Sequence, residues 1–147
     1  MLLWRVSRHR DLSGKGGLTF SARWHRRGAP VVYLAECPPG ALLEVCVHTS
    51  LEDMPPRFTL LEVNAADSTS METVDAAKLP KNWVSNQEAT RQIGSEWLAS
   101  GRTALLRVPS ALVPRTNNVV LNPRHPEAKR LQIAAAWEYP FDLRLKA

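Results

Sequence analysis

Short apolar runs, each broken by proline, glycine or a polar turn, recur along this chain, and only two stretches repeat at helical spacing. Leu2–Val6 (LLWRV) predicts a first strand, with Arg5 set among apolar residues. Val31-Val32-Tyr33-Leu34 lies between Pro30 and Pro38 and has the β-branched and aromatic content of a buried strand. Phe58–Val63, Ala104–Val108 and Asn118–Leu121 predict further strands, the last two ended by Pro109 and by Asn122-Pro123. Leu131–Ala136 and Phe141–Leu145 are candidate closing strands. Asn86–Ser100 predicts a helix, because Ile93, Trp97 and Leu98 recur on one face and Gly101 follows as a stop. Ala41–His48 predicts a second helix, apolar nearly all round except at Glu44. At about 100° per residue, Glu44 shares its side of that helix with Gly40, Ala41 and His48.

The connections follow from turn chemistry. Asp11–Gly17 (DLSGKGG) is a glycine-rich link that lacks the Lys-Ser/Thr ending of a phosphate-binding P-loop and the spacing of a dinucleotide fingerprint, so it reads as an ordinary turn. Pro38-Pro39-Gly40 punctuates the chain before the first helix, and Met54-Pro55-Pro56 forms a loop after it. Asn64–Thr73 is polar and reads as a surface connection. Leu79–Trp83 reads as a turn anchored to the core by Trp83. The PSALVP segment at 109–114 reads as short and extended, and His125–Arg130 as a polar turn or short helix. No internal repeat or low-complexity segment is visible. Strands outnumber helices and do not alternate with them regularly, which argues an α+β sheet domain.

Composition narrows the class. A chain of 147 residues, 44% apolar and 22% charged, is expected to form a single soluble domain over 1–147. No apolar run approaches the ~20 residues of a membrane-spanning helix. The opening MLLWRVSRHR lacks the apolar region and cleavage site of a signal peptide, so a cytoplasmic protein is expected. Cys37 and Cys46 form no disulfide framework and have no histidine partners at zinc spacing, so no metal site is expected. The formal charge of +5, from 19 basic and 14 acidic residues, favours an anionic partner: a nucleic acid, a phosphate-bearing ligand or an acidic protein. The basic residues concentrate at Arg5–Arg10 and Arg23–Arg27, without a zinc finger, helix-turn-helix or RNA-recognition signature.

Few residues are placed to do chemistry. There is no HExxH, no GxSxG and no carboxylate cluster at metal spacing. What remains is Arg23 in a cationic turn, Tyr33 on the next strand and Glu44 on the next helix, with Arg5 from the first strand. Arginine offers a planar fork of donors for phosphate, tyrosine a stacking face and a hydroxyl, and glutamate a charge that stabilises a developing cation or holds a ribose hydroxyl. Together they suit a nucleotide carrying a pyrophosphate. The plainer readings are a solvated Arg23 and a core-packing Tyr33. Ser110 follows a proline at a strand end, where a hydroxyl faces a cleft or stabilises a turn. Asn122 before Pro123 is ordinarily a turn residue, and His125 reads as structural because nothing local orients it.

The blocks LWRV, RWHRRGAPVVYLAE, ALLEVCVH, LPKNW, IGSEWLASGRTALLRVPSALVP, NNVVLNPRHP and FDLRL, in this order and spacing, resemble the RES-domain family, the toxin halves of bacterial RES–Xre toxin–antitoxin pairs. Ser21-Ala22 stand where members of that family usually carry two glycines, and Cys37-Pro38-Pro39 is an untypical lead into the helix. The resemblance implies an ADP-ribosyltransferase-like fold, a split antiparallel β core with surrounding helices. It implies a toxin that arrests growth by cleaving the nicotinamide–ribose bond of NAD⁺, by hydrolysis or phosphorolysis. NAD⁺ is then a substrate, and no cofactor is required. Glu44, Tyr33 and Arg23 would be the catalytic set: Glu44 supports the oxocarbenium-like state, and Tyr33 packs on nicotinamide or its ribose. Arg5 and Arg23 would bind the phosphates, with Tyr33, Ser110 and Asn122 lining the NAD⁺ pocket. The implied partner is an Xre-family antitoxin in a hetero-oligomer, with DNA engaged only indirectly through it. Alternatives are a protein ADP-ribosyltransferase with the same pocket, or a basic module that binds nucleic acid or protein.

Overall fold

The apolar runs become strands covered on both faces. A computed structural model describes residues 1–146. Seven strands, β1 (Leu2–Val6), β2 (Val32–Ala35), β3 (Arg57–Ala65), β4 (Met71–Thr73), β5 (Leu105–Pro109), β6 (Asn117–Leu121) and β7 (Leu131–Pro140), form one sheet in the order β4-β5-β6-β2-β1-β3-β7. Every pairing is antiparallel except β4 with β5. The helices are a single turn α1 (Gly16–Thr19), α2 (Pro38–His48) and α3 (Gln87–Ser100).

Strand alternation sorts the apolar side chains into two cores. Val32, Leu34, Leu105, Val119 and Leu121 join Leu3, Leu61, Val63 and Leu131 in one cluster. Their neighbours Val31, Leu106, Val108 and Val120 join Trp24, Leu79 and Trp97 in the other, with Tyr33, Trp83 and Ile93 at its margin. The first cluster draws on strands from both ends of the sheet order, so the sheet folds over around it. The second lies under α3, whose Trp97 is fully buried. With both faces covered, the central strands read as continuous apolar runs.

The sheet is nearly divided at its centre. β1 pairs with β3 from Leu2↔Asn64 to Val6↔Leu60, and β2 pairs with β6 from Val32↔Leu121 to Ala35↔Asn118. β1 and β2 themselves meet at a single register pair, Trp4↔Ala35. The split antiparallel core that the family resemblance implies is this junction.

Three expectations need correction. Helix α2 begins at Pro38, not Ala41. Cys37 is its N-cap, and the prolines occupy the first turn, where a missing N–H costs nothing. The polar stretch 64–73 is not all surface connection: β3 runs through Ala65, and Met71–Thr73 pairs as a short edge strand parallel to β5. Phe141–Leu145 is not a strand. β7 continues to Pro140, and Leu143–Lys146 form a 3₁₀ turn whose Lys146 Nζ donates to the Cys46 carbonyl of α2 at 2.6 Å.

Candidate functional site

Where β1 and β2 part, a cleft of about 820 Å³ opens. β1 supplies Trp4 and Arg5, β2 supplies Tyr33, the turn between α1 and β2 supplies Arg23, α2 supplies Glu44 and His48, and α3 supplies Arg91. Four of the residues singled out from the sequence, Arg5, Arg23, Tyr33 and Glu44, therefore line one cavity.

The Arg23 turn is built by close backbone packing. The Ala22 N–H donates to the His25 carbonyl at 3.0 Å and closes it. Thr90 Oγ1 of α3 donates to the Arg23 carbonyl at 2.7 Å, and Arg91 Nε donates to the Ala22 carbonyl at 2.8 Å. Gly94 lies so near the Trp24 carbonyl that an added Cβ would overlap it. The Arg23 guanidinium donates to the carbonyls of Trp83 and Val84 at 3.3 and 3.0 Å and stands 5.9 Å from the Trp83 ring centroid. Burial lowers the proton affinity of Arg23, and the nearby Glu44 charge opposes that effect. Arg26 in the same turn is already held by Glu88 and Gln92 of α3.

Tyr33 is fixed through its hydroxyl. The Trp24 N–H donates to that oxygen at 3.2 Å, and the hydroxyl lies 2.8 Å from His25 Nδ1. His25 Nε2 lies 2.8 Å from the Phe20 carbonyl, which can only accept. Nε2 therefore carries the proton, and Nδ1 accepts from Tyr33. Burial lowers the pKa of His25 and keeps the ring neutral, in line with this arrangement. Burial also pushes the Tyr33 phenol far above its ordinary value, so it is neither a base nor a ready acid.

Glu44 is held at one oxygen and faced by a histidine at the other. Asn118 Nδ2 of β6 donates to Oε1 at 2.7 Å, and His48 Nε2, one helical turn on, stands 3.4 Å from Oε2. Burial raises the pKa of the carboxyl. The contacts with His48 and Asn118 and the charges of His48 and Arg23 outweigh it, and the net shift is below the ordinary glutamate value. Glu44 is the carboxylate of a cleft also lined by Arg5, Arg23 and Arg91, of which Arg23 lies near enough to favour its charge, while Arg5 Nη1 donates to the Asp11 carbonyl at 3.0 Å.

Ser110 and Asn122 fall elsewhere. Segment 109–114 bends rather than extends: Ser110 Oγ accepts from the N–H groups of Leu112 and Val113 at 3.1 and 3.3 Å. Ser110 lines a smaller pocket of about 200 Å³, which shares Ala35, Glu44, Leu112 and Asn118 with the cleft. Asn122 is 4% exposed and lines neither space. Its Nδ2 donates to the Leu98 carbonyl at 3.4 Å and its Oδ1 accepts from the Arg124 N–H at 3.1 Å, so it joins α3 to the strand end. Asn118, His48, Arg91 and Trp4 are cleft residues that sequence reasoning missed. A signal for Asn118 existed: it is the polar residue that opens the apolar run Val119-Val120-Leu121.

Comparison with known proteins identifies the family. Residues 2–142 match the RES domain. The chain belongs to the RES-domain family. Among RES-domain relatives, a protein named Toxin Res from Pseudomonas putida is 46% identical over 135 residues, covering 90% of this chain and 92% of that protein. A Prs ADP-ribosylating toxin from a Sphingobium species is 35% identical over 139 residues, covering 92% and 86%. The crystal structure of the Mycobacterium tuberculosis MbcT–MbcA toxin–antitoxin complex contains a chain of the same fold, with a TM-score of 0.73 over 95% of this chain and 84% of that one, at 20% identity. Among the described residues, no group of three His, Cys, Asp or Glu could hold a metal ion, and no helix is long and apolar enough to cross a membrane.

Proposed function

We propose that this RES-domain protein is the toxin of a toxin–antitoxin pair and that it cleaves the nicotinamide–ribose bond of NAD⁺ in the β1/β2 cleft. The observation that carries this reading is Glu44, an ionised carboxylate held by Asn118 and faced by His48 in a cleft also lined by three arginines. Cleavage builds positive charge on the ribose ring as the C1′–N bond breaks, so a preoriented carboxylate is worth most in the transition state. Nicotinamide takes the bonding electrons and leaves neutral, and the departure needs no general acid. With water as acceptor, its oxygen bonds to C1′ and a proton passes to solvent. Arg5 and Arg23 hold the pyrophosphate, and the Tyr33 ring packs on the nicotinamide end. Arg91 adds a third positive charge to the cleft wall.

The test is nicotinamide release from NAD⁺ by the purified chain, with and without phosphate, beside Glu44→Ala and Arg23→Ala. The expected result is release by the wild type and a loss of about 10²–10³-fold in Glu44→Ala, on the scale of one removed transition-state contact. No release by the folded wild type under either condition would remove hydrolysis and phosphorolysis. A second reading, transfer of ADP-ribose to a protein, is favoured by the name of the Sphingobium relative. Label from NAD⁺ that appears on protein rather than as free ADP-ribose or its phosphate would establish it.

The partner in this reading is an Xre-family antitoxin that closes the cleft. The basic turn offers it a cationic rim, on which the exposed Arg27 is better placed than Arg26, already bound to α3. Charge reversal at Arg27 is expected to weaken the complex, with a dependence on salt.

A further inference from the structure

Only one of the two groups that hold Glu44 can change its charge. Asn118 is neutral at every pH, whereas His48 carries a charge only when protonated. His48 lies one turn along α2 on the same face, and its side chain is 67% exposed against 31% for Glu44. It lines the cleft, so it meets both solvent and the reacting carboxylate.

We propose that His48, in its protonated form, is the positioning residue that fixes the second oxygen of Glu44, and that this pair gives the cleft a pH-dependent activity. The proposal rests on the reading of Glu44 as the carboxylate that supports the ribose cation.

The surroundings of His48 set the direction. Glu44 raises its pKa by direct contact and by charge, while burial and Arg23 oppose the rise without cancelling it. Arg5 from β1, Tyr33 from β2, His25 from the turn and Arg91 from α3 line the same cleft, and Lys146 sits at the Cys46 carbonyl on α2. Glu44 moves the opposite way, below its ordinary value. The ion pair is therefore complete between the lowered pKa of Glu44 and the raised pKa of His48. As pH rises through the His48 value the imidazolium loses its proton, and Oε2 is no longer drawn to a charge. At 3.4 Å and with His48 67% exposed, the pair is a modest i,i+4 ion pair, so the expected consequence is a fall of about 2- to 5-fold rather than abolition. Because the carboxylate acts in the transition state, the fall belongs to kcat, with KM nearly unchanged.

The experiment pairs a spectroscopic titration with kinetics. The His48 imidazole is titrated by NMR in the wild-type chain and in Glu44→Gln, and nicotinamide release is followed against pH in wild type and His48→Gln. His48 is exposed, so its replacement leaves the fold intact. The expected result is a His48 midpoint above the ordinary histidine value that drops in Glu44→Gln. Wild-type kcat falls across that same midpoint, and His48→Gln stays flat at the lower alkaline level. An unchanged midpoint in Glu44→Gln, or a wild-type pH limb that survives in His48→Gln, overturns the proposal and leaves NAD⁺ cleavage standing. A shifted His48 in a chain that releases no nicotinamide at any pH supports the pair and overturns the NAD⁺ reading instead.

Discussion

Tyr33 divides its two ends between the fold and the cleft. Its hydroxyl accepts from the Trp24 N–H and donates to His25 Nδ1, while its ring faces the cleft. Tyr33→Phe is therefore expected to keep the ring surface but strand two buried polar partners, at a cost of about 1–3 kcal/mol. Calorimetry should show a melting temperature several degrees lower. Nicotinamide release per folded molecule should stay within a few-fold of wild type, and Tyr33→Ala should lose far more. A Tyr33→Phe protein that melts like wild type but cleaves no NAD⁺ would make the hydroxyl catalytic instead. At this scale the sequence was readable where a residue's type was out of place. Glu44 in an apolar helix and Arg23 in a cationic turn stood out, because each charge needs a partner if it is to leave water. Helical spacing already set His48 on the Glu44 side and Asn118 was a polar residue opening an apolar run, but their contact with the carboxylate depends on a register, Ala35↔Asn118, and on rotamers that tertiary packing sets.

Helix α3 acts as the platform for the Arg23 turn, and its glycine is the point of contact. A Cβ at Gly94 would meet the Trp24 carbonyl, a backbone atom that cannot swing away. Gly94→Ala gains about 1 kcal/mol of helix propensity. Forced overpacking costs typically 1–3 kcal/mol, and contact with backbone places this site at the upper end, so destabilisation wins. The expected melting temperature is about 5 °C below wild type. The turn must also shift off α3, which moves Arg23, so KM for NAD⁺ should rise at temperatures where the variant remains folded. An unchanged melting temperature would mean that the helix can slide away from the turn without cost. The limits of α3 were legible because they rest on local chemistry. Asn86 Oδ1 accepts from the Ala89 N–H, and Gly101 takes the left-handed conformation with φ of 60°. Strand β4 was not legible, since a three-residue edge strand owes its existence to β5 rather than to any alternation of its own. The same holds for the end of β7, which β3 extends by pairing as far as Arg57↔Pro140.

Across the whole molecule, the cleft sits at the weakest seam of the sheet. Strands β1-β3-β7 and β4-β5-β6-β2 carry their own ladders, and one register pair joins them within the sheet. A ligand that touches Arg5 on β1 and Glu44, Arg23 and Tyr33 on the other side bridges the two halves, so its binding energy adds to their cohesion. In the proposed reading, Glu44→Gln removes the carboxylate charge but keeps the shape, so NAD⁺ can be added without turnover. At 100 times its dissociation constant, a ligand confined to the native state stabilises by about 2.7 kcal/mol. For a chain of this size that corresponds to a rise of about 5–10 °C in melting temperature. Hydrogen exchange should slow at the backbone amides of β1 and β2 beyond the Trp4↔Ala35 pair, which lack a partner across the seam. Arg5→Ala in the same background should reduce both effects, because it severs the bridge from the β1 side. A thermal shift that Arg5→Ala leaves intact would place the ligand wholly on the β2 half, and the seam would then be a feature of the fold with no part in binding.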